Sequence, residues 1–442
     1  MAPLRPVSEL ASIIEHHTKA LEDGLKGSPG GQFSLAFGAP PQTELPASLE
    51  ATRGELLETI DELRARLLGP LGYLMVTLFP IPALSAIFQT LYTFDIPSHV
   101  PLSPKDEISY KDLAKRCGLP EDETRRIVQA AISFRVFEEA TPEVSVRHNA
   151  LSSTLAIPQL KDLLGLIMDE QMSGANKLVQ SLQRFPGSGE PGHSASVLAF
   201  IEAEAIKEKG LDKVEIDDPS KNFFDYIAKD ETRVARFRSA MGTSTKSLAF
   251  KSSFFVDNLP WADKRQCPET VVDIGGAGGE VLQLVLRTHP NVKKGIVLDL
   301  PEVVADAKAP EDLENRLEYA SYNFLTEKVT HQADAYIFRH IFHDWSDKYG
   351  AKILKNLVPA LKKGTKIWIS EVVLPNLSEE NHTKDQMQRS ADIFMMAGFN
   401  GKERSKSGWE TLLAMADERL RLANVIRPAG AHDSIIEIVF DA

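Results

Sequence analysis

At 442 residues the chain is too long for one ordinary core, and it implies two or three domains. Its 43% hydrophobic and 25% charged residues are ordinary globular proportions, and its net charge of -12 argues against a polyanionic partner that lacks a local basic patch. Two distant cysteines, Cys117 and Cys267, exclude a disulfide framework and a paired-cysteine metal site, and fit a reducing, cytoplasmic setting.

The N-terminal stretch has no apolar core of secretory-signal length. A helix is predicted over Val7–Leu25, followed by a Gly/Pro/Ser-rich linker or arm from Gly27 to Pro46. Ser48 is placed to cap the next helix, where Leu56, Ile60, Leu63 and Leu67 form an apolar stripe at helical spacing. That stripe needs a partner, and a second subunit would supply one. Leu67 to Phe94 is apolar enough to raise a membrane span. Pro70, Pro80 and Pro82, with Gly69 and Gly72, argue against an unbroken helix there, so a buried core or dimer segment is expected and no membrane contact.

Ile108 to Gly118 reads as a capped helix, and a second helix runs to Phe137. Thr141 to His148 then reads as a short hairpin, which completes a winged-helix pattern. Its basic residues are matched by acidic ones, so no nucleic-acid partner is expected. Leu151 to Phe200 looks helical, with a flexible break at Pro186 to Gly192, and Phe223 to Met241 is another helix candidate. From Thr270 strands and helices alternate: Thr270–Ile274, Gly295–Leu300, Ala333–Phe338, Thr365–Ser370 and Ser434–Phe440. This grammar predicts a parallel, doubly wound sheet.

The first of these strands runs into a glycine loop, Asp273-Ile-Gly275-Gly276-Ala277-Gly278-Gly279, and then a helix. Ligands of such sheets bind at the strands' carboxyl ends, near the switch point. Asp299, ending the second strand, suits ribose hydroxyls. No register of the loop gives the dinucleotide fingerprint, and Asp273 suits the ammonium of a methionine moiety better than a pyrophosphate. A plain strand-to-helix turn is the simpler alternative.

A second cluster follows the strand ending at Phe338: Arg339-His340-Ile-Phe-His343-Asp344-Trp345. A histidine is a competent base near neutral pH, and a phenol, with a pKa near 10, needs one to become a nucleophile. Many single histidines are merely structural. Glu371 ends the next strand, and Glu403 lies in Gly-Lys-Glu-Arg404. Either carboxylate would fix the tautomer of His343. The plainer readings are an exposed strand-end charge for Glu371 and a surface salt bridge with Lys402 or Arg404 for Glu403. His340 has no neighbouring carboxylate pattern that would make it a metal ligand, and no metal site is expected.

Together these motifs resemble the plant-type family of S-adenosylmethionine-dependent O-methyltransferases, above all its fungal secondary-metabolite members. The resemblance covers Leu56 to the C-terminus. It implies a Rossmann-like C-terminal domain over 171–442, a helical, winged-helix dimerisation domain over 51–170, and an N-terminal helix and arm over 1–50. It implies that His343 is the general base, bracketed by Glu371 and Glu403. It implies cofactor contacts from Asp273, Gly275, Gly276, Asp299, Leu300, Asn323, Phe324, Arg339 and Trp345, the last stacking on adenine. It implies a substrate pocket containing Met168, Met172, Phe224, Met241, Asp392, Met395 and Met396, and a homodimer. Two departures stand out. Asn323 replaces the family's Asp at the adenine amino group, where an amide carbonyl still accepts a hydrogen bond. Ala277 replaces a glycine, at little cost if its φ stays below zero.

The expected reaction is methyl transfer to a phenolic or enolic hydroxyl of a polyketide-like molecule. Some fungal members of the same fold instead catalyse pericyclic or dehydration steps, and the same residues would suit those. A regulator built on the winged helix is the non-enzymatic alternative, which a basic surface would favour.

Overall fold

The structure is a computed structural model describing residues 5–26, 33–208, 218–244, 247–263, 265–376 and 382–441. It divides into two compact units: Met1–Ser173 with Asp230–Ser244 and Asn381–Thr383, and Gly174–Lys229 with Thr245–Glu380 and Lys384–Ala442.

In the first unit, helix Val7–Leu25 buries Leu10, Leu21 and Leu25 and packs along helix Ala47–Leu78. Of the predicted arm, residues 27–32 lie outside the described residues; beyond them, the Leu35 carbonyl accepts the Ala150 N–H at 2.9 Å. The second helix starts at Ala47 with Pro46 at its N-cap and no side-chain cap, so Ser48 is not the expected cap but an exposed residue of the first turn.

The prolines do not break the Leu67–Phe94 segment. Gly69 turns left-handed (φ 65°) and kinks the chain, and Pro70 opens a fresh helical run to Leu78. Phe79 keeps helical angles, and Pro80 and Pro82 fall in the first turn of helix Pro80–Thr93. A proline at a helix start loses no internal hydrogen bond, which is why the pattern tolerates all three. Ser48–Thr93 thus contains a helical window long and apolar enough to cross a membrane, and only 6% of that window is buried.

Strand β1 (Ile108–Ser109) leads into helix Tyr110–Cys117, which Ser109 caps by accepting the Asp112 N–H at 3.0 Å and left-handed Gly118 ends. Helix Glu121–Ser133 follows, then the hairpin of β2 (Glu138–Thr141) and β3 (Ser145–Arg147), which begins three residues and ends one residue earlier than its sequence suggests. These strands form a small sheet in the order β1-β3-β2 over a core of Leu91, Ile96, Leu113, Val128, Val136 and Val146.

Two predicted helices are subdivided. Helix Pro158–Gly165 passes through a π-turn, Leu166–Gln171, before helix Met172–Arg184. Phe223–Met241 is two helices, Phe223–Ile227 and Glu231–Ser244. Asp230 restarts the chain by accepting the N–H groups of Thr232 and Arg233 at 2.9 and 3.3 Å.

The second unit holds the main sheet, built from β4 (Thr270–Ile274), β5 (Lys294–Asp299), β6 (Leu317–Ser321), β7 (Ala335–Arg339) and β8 (Lys366–Glu371). Two short strands, β9 (Val373–Leu374) and β10 (Arg404–Ser405), pair separately, and β11 (Leu420–Ile426) and β12 (Ser434–Phe440) complete the main sheet. Its order is β11-β12-β8-β7-β4-β5-β6. The sheet is mixed rather than parallel, because β12 runs antiparallel to both β8 and β11. Val272, Ile274, Ile296 and Leu298 join one core cluster, and Val271, Val297 and Ile337 the other. Alternate residues point to opposite faces, so both faces are covered and the strands read as apolar runs.

Candidate active site

Chain order reverses at β4, which pairs with β5 on one side and β7 on the other. A crevice opens at such a reversal, and the loops after β4 and β7 border it. They are the glycine loop and the His343 turn.

In the glycine loop, Gly275 is left-handed (φ 76°), and a Cβ there would overlap the Ile341 side chain. A Cβ on Gly276 would stand 2.6 Å from the Asp273 carboxyl, so both positions are restricted to glycine. Ala277 is also left-handed (φ 47°), against the expectation of a negative φ. The cause is its N–H, which turns to the Asp299 Oδ2 at 2.9 Å. Asp299 also accepts the Leu300 N–H at 2.7 Å. Burial, reinforced by the charge of Asp299, pushes Asp273 up to about 7, and burial raises Asp299 as well. A buried and a half-buried carboxylate that repel each other beside a bare backbone loop suit a ligand that brings a cation and hydroxyl donors.

Other expected cofactor residues lie nearby in the sheet. The Asn323 Oδ1 already accepts the Leu325 N–H at 2.9 Å, which leaves one lone pair of that oxygen. Arg339 donates to the Phe250 carbonyl and the Ser252 hydroxyl, at 2.5 and 3.1 Å. Trp345 is buried, edge-to-face with Phe324 at 5.9 Å and tilted against Tyr349 at 5.7 Å.

The His343 turn is held from several sides. Glu371 is fully buried, not an exposed strand end, and its Oε1 accepts the N–H groups of Ile341, Phe342 and His343. Arg404 donates to the carbonyls of Phe342 and Trp345, each at 2.7 Å. Both Lys402 and Arg404 pair with Asp347, so neither makes the surface salt bridge considered for Glu403. Gly401 packs so tightly on the turn that a Cβ would overlap the His343 carbonyl. The expected flexible break at Pro186–Gly192 is instead tied to this turn. Ser346 donates to the Gly189 carbonyl at 2.7 Å, Tyr349 to Glu190 at 2.8 Å, and Asn400 to the Ser188 and Glu190 carbonyls at 2.7 and 2.8 Å.

The imidazole itself has Nδ1 3.0 Å from the Glu403 Oε1 and Nε2 3.6 Å from the Asp344 Oδ1. The Glu403 Oε2 is buried without a hydrogen-bond partner among the described residues. Burial opposes a charge on His343, but the charge of Asp344 and the hydrogen bond and charge of Glu403 outweigh it and push His343 up to about 10. Burial likewise raises Asp344 to about 6 and Glu371 to about 7. The Glu403 carboxylate meets the ring directly, whereas Glu371 meets the backbone that carries it.

Asp392 takes the Glu403 N–H on its Oδ1 at 2.8 Å. Phe224 packs on Phe223 and Phe399, and Met395 and Met396 are half-buried in the helix ending at Phe399. Met168, Met172 and Met241, the other expected pocket residues, belong to the first unit. Sequence reading passed over Asp344 and Arg404 as site residues, although both flank motifs it had singled out.

Residues 217–417 match the model of the O-methyltransferase domain. O-methyltransferase kk1A of Curvularia clavata is 30% identical over 98% of this chain and 96% of its own length. O-methyltransferase pyvH of Aspergillus violaceofuscus is 30% identical over 98% and 99%. The chain belongs to the O-methyltransferase family. It is a fungal secondary-metabolite member, and its cofactor is S-adenosylmethionine. Among solved structures, OxaC has a similar fold, with a TM-score of 0.75, 20% identity and 98% of each chain covered. LepI in complex with SAM reaches a TM-score of 0.72 at 20% identity, covering 97% of this chain and 99% of its own.

Proposed function

We propose that this O-methyltransferase acts on a phenolic or enolic hydroxyl of a polyketide-like small molecule, with His343 as general base. The observation that carries the reading is the imidazole whose Nδ1 meets Glu403 at 3.0 Å while its Nε2 has Asp344 only at 3.6 Å, after the strand that pairs with β4 and its glycine loop. S-adenosylmethionine supplies a methyl group on a cationic sulfur. Asp299 would hold its ribose, and Asp273 and the backbone of Gly275 and Gly276 its methionine end. Leu300, Asn323, Phe324 and Trp345 would line its nucleoside part, with Arg339 behind the loop.

Glu403 keeps the proton of His343 on Nδ1, which leaves the Nε2 lone pair for the substrate hydroxyl. With its proton affinity raised to about 10, His343 is the neutral base in a fraction that grows as pH rises, and in that form it matches a phenol near 10, so proton transfer between them is close to isoenergetic. Glu403 and Asp344 then stabilise the imidazolium as the substrate oxygen attacks. Glu371 and Arg404 hold the turn, and Asp392 holds the Glu403 loop. Phe224, Met395 and Met396 are the proposed substrate-facing side chains of the second unit. A second copy of the chain is the proposed cover for the exposed apolar helix face, which makes the enzyme a homodimer, and the cytoplasm is its proposed site of action.

The test is incubation with methyl-labelled S-adenosylmethionine and a panel of phenolic polyketides and hydroxypyridones, read by mass spectrometry. Label in the product, lost about 100-fold or more in His343→Ala, supports the reading. Conversion to an unlabelled isomer or dehydrated product would shift it to a pericyclic or dehydration reaction. Label transfer undiminished in His343→Ala would remove His343 as the base.

A further inference from the structure

One titratable cluster in the second unit lies beside the base without touching the proposed reacting atoms. His340 stands at the end of β7 in a left-handed conformation, φ 53°. Left-handed backbone costs a residue with a Cβ about 1–2 kcal/mol, and such strain gathers where a side chain must be aimed. The ring of His340 lies against that of His343, with centroids 5.5 Å apart and planes 20° from parallel. Its Nε2 is 2.6 Å from the Asp433 Oδ2, a residue 93 positions further along the chain. The sequence near His340 offers no carboxylate pattern, and the fold supplies Asp433 from just before β12.

Asp433 is itself anchored. Its Oδ2 also accepts the Ser370 hydroxyl at 3.3 Å, and its Oδ1 lies 3.3 Å from the His432 Nδ1. Burial opposes its charge, yet His340 and His432 hold its carboxyl well below the usual range. An ionised carboxylate accepts only, so Nε2 of His340 carries the hydrogen. Phe250 closes the cluster, edge-on to His340 at 5.8 Å and tilted on His432 at 4.5 Å. The His340 N–H donates to the Ser370 carbonyl at 3.2 Å. Ring and backbone of His340 are thus both fixed from β8 and the start of β12.

Glu403 restrains one edge of the His343 ring, and Glu371 and Arg404 restrain its backbone. The Nδ1 contact limits rotation of the ring about its Cβ–Cγ bond, but a contact at one edge leaves the ring free to tilt about that hydrogen bond, and a ring stacked on its face limits the tilt. We propose that His340, anchored by Asp433, is a positioning residue for methyl transfer: its imidazole backs the face of the His343 ring and keeps Nε2 aimed at the substrate hydroxyl. This rests on His343 being the base. A misplacement of the base by about 1 Å costs about 100-fold in rate, so the effect falls on kcat and not on binding.

The experiment compares His340→Asn, Asp433→Ala and His343→Ala, singly and in the pair His340→Asn with His343→Ala. The assay uses labelled S-adenosylmethionine and the panel phenol that the wild-type chain methylates fastest. Asparagine suits a left-handed position, so the backbone is kept while the ring is lost. Asp433→Ala keeps the ring and removes its anchor, and it carries the same expectation should His340→Asn fail to fold. The expected result is a fall in kcat of about 10- to 100-fold, with KM for both substrates within about 3-fold. His340→Asn should leave the residual rate of His343→Ala unchanged, because the two act through one group. An unchanged kcat, a loss confined to KM, or an equal further loss in the His343→Ala background would overturn the proposal. Full activity in His343→Ala alone would instead overturn the base assignment, so the two failures read differently.

Discussion

The two units place their anomalies differently. In the first, the left-handed residues with side chains are Asp95, Arg135, Phe137 and Glu143, at helix ends and the hairpin. In the second they are Ala277, His340 and Asn400, among the described residues. These three stand in the glycine loop, three residues before His343, and three before Glu403. Apolar exposure runs the other way. The first unit leaves Leu71 at 73% and Phe79 at 78% exposed, with Leu67, Leu74, Met75, Leu78 and Ile81 also open, while the central strands β4, β5, β7 and β8 of the second bury their apolar residues almost completely. Strain is thus spent on aiming side chains in one unit, and unfinished burial marks a surface in the other.

If that contrast is right, the largest effects come from the strained side. Gly401→Ala places a Cβ on the His343 carbonyl. It should cost about 1–3 kcal/mol of stability, as overpacking does, and about 100-fold or more in kcat by displacing the turn. A thermal melt and kcat near wild type would show that the turn is not held there. Glu403→Gln should leave the fold intact, since the amide oxygen still accepts from Nδ1, and lower the maximal rate about 100-fold. Its pH dependence has a sign. The hydrogen bond and charge of Glu403 raise the proton affinity of His343. Their removal lowers it, so the rising limb of the rate profile moves to lower pH. A limb moving upward would mean Glu403 is not the partner that sets the base.

The apolar side predicts a smaller effect, on assembly and not on chemistry. Self-complementary faces are the simplest way two copies cover one exposed stripe. Each large apolar side chain so buried is worth about 1.5–3 kcal/mol. Leu71→Asp with Phe79→Asp should therefore weaken a dimer at least 10-fold, read as elution mass against concentration by light scattering. A wild-type chain that stays monomeric but binds lipid vesicles would assign the same face to a membrane instead.

The sequence made legible whatever depends on local pattern. Strands Thr270–Ile274 and Ser434–Phe440 are bounded as read, because buried strands give unbroken apolar runs. The loops after β4 and β7 were identified from glycines, acids and histidines in short spacing. What failed depends on distant partners or on backbone angles. The antiparallel edge went unseen because Leu420–Ile426 alternates only weakly, its burial being irregular. Asp433 could not be tied to His340 across 93 residues. The helix through Pro80 and Pro82 was missed because proline was taken as a breaker where it sits as a starter.

Ala277 offers the gentlest test, because it probes strain without touching a reacting group. Its φ of 47° lies where glycine is comfortable and alanine is not. Ala277→Gly relieves about 1–2 kcal/mol of left-handed strain, while the freer unfolded chain takes back about 0.4–1 kcal/mol. The net expectation is a gain of roughly 0.5–1 kcal/mol in denaturant unfolding. The N–H at 277 keeps its bond to Asp299, so calorimetric affinity for S-adenosylmethionine should stay within about 2-fold. A loss of stability would mean that Ala277 is not left-handed in solution. The alignment of strain with the site would then rest on His340 and Asn400 alone.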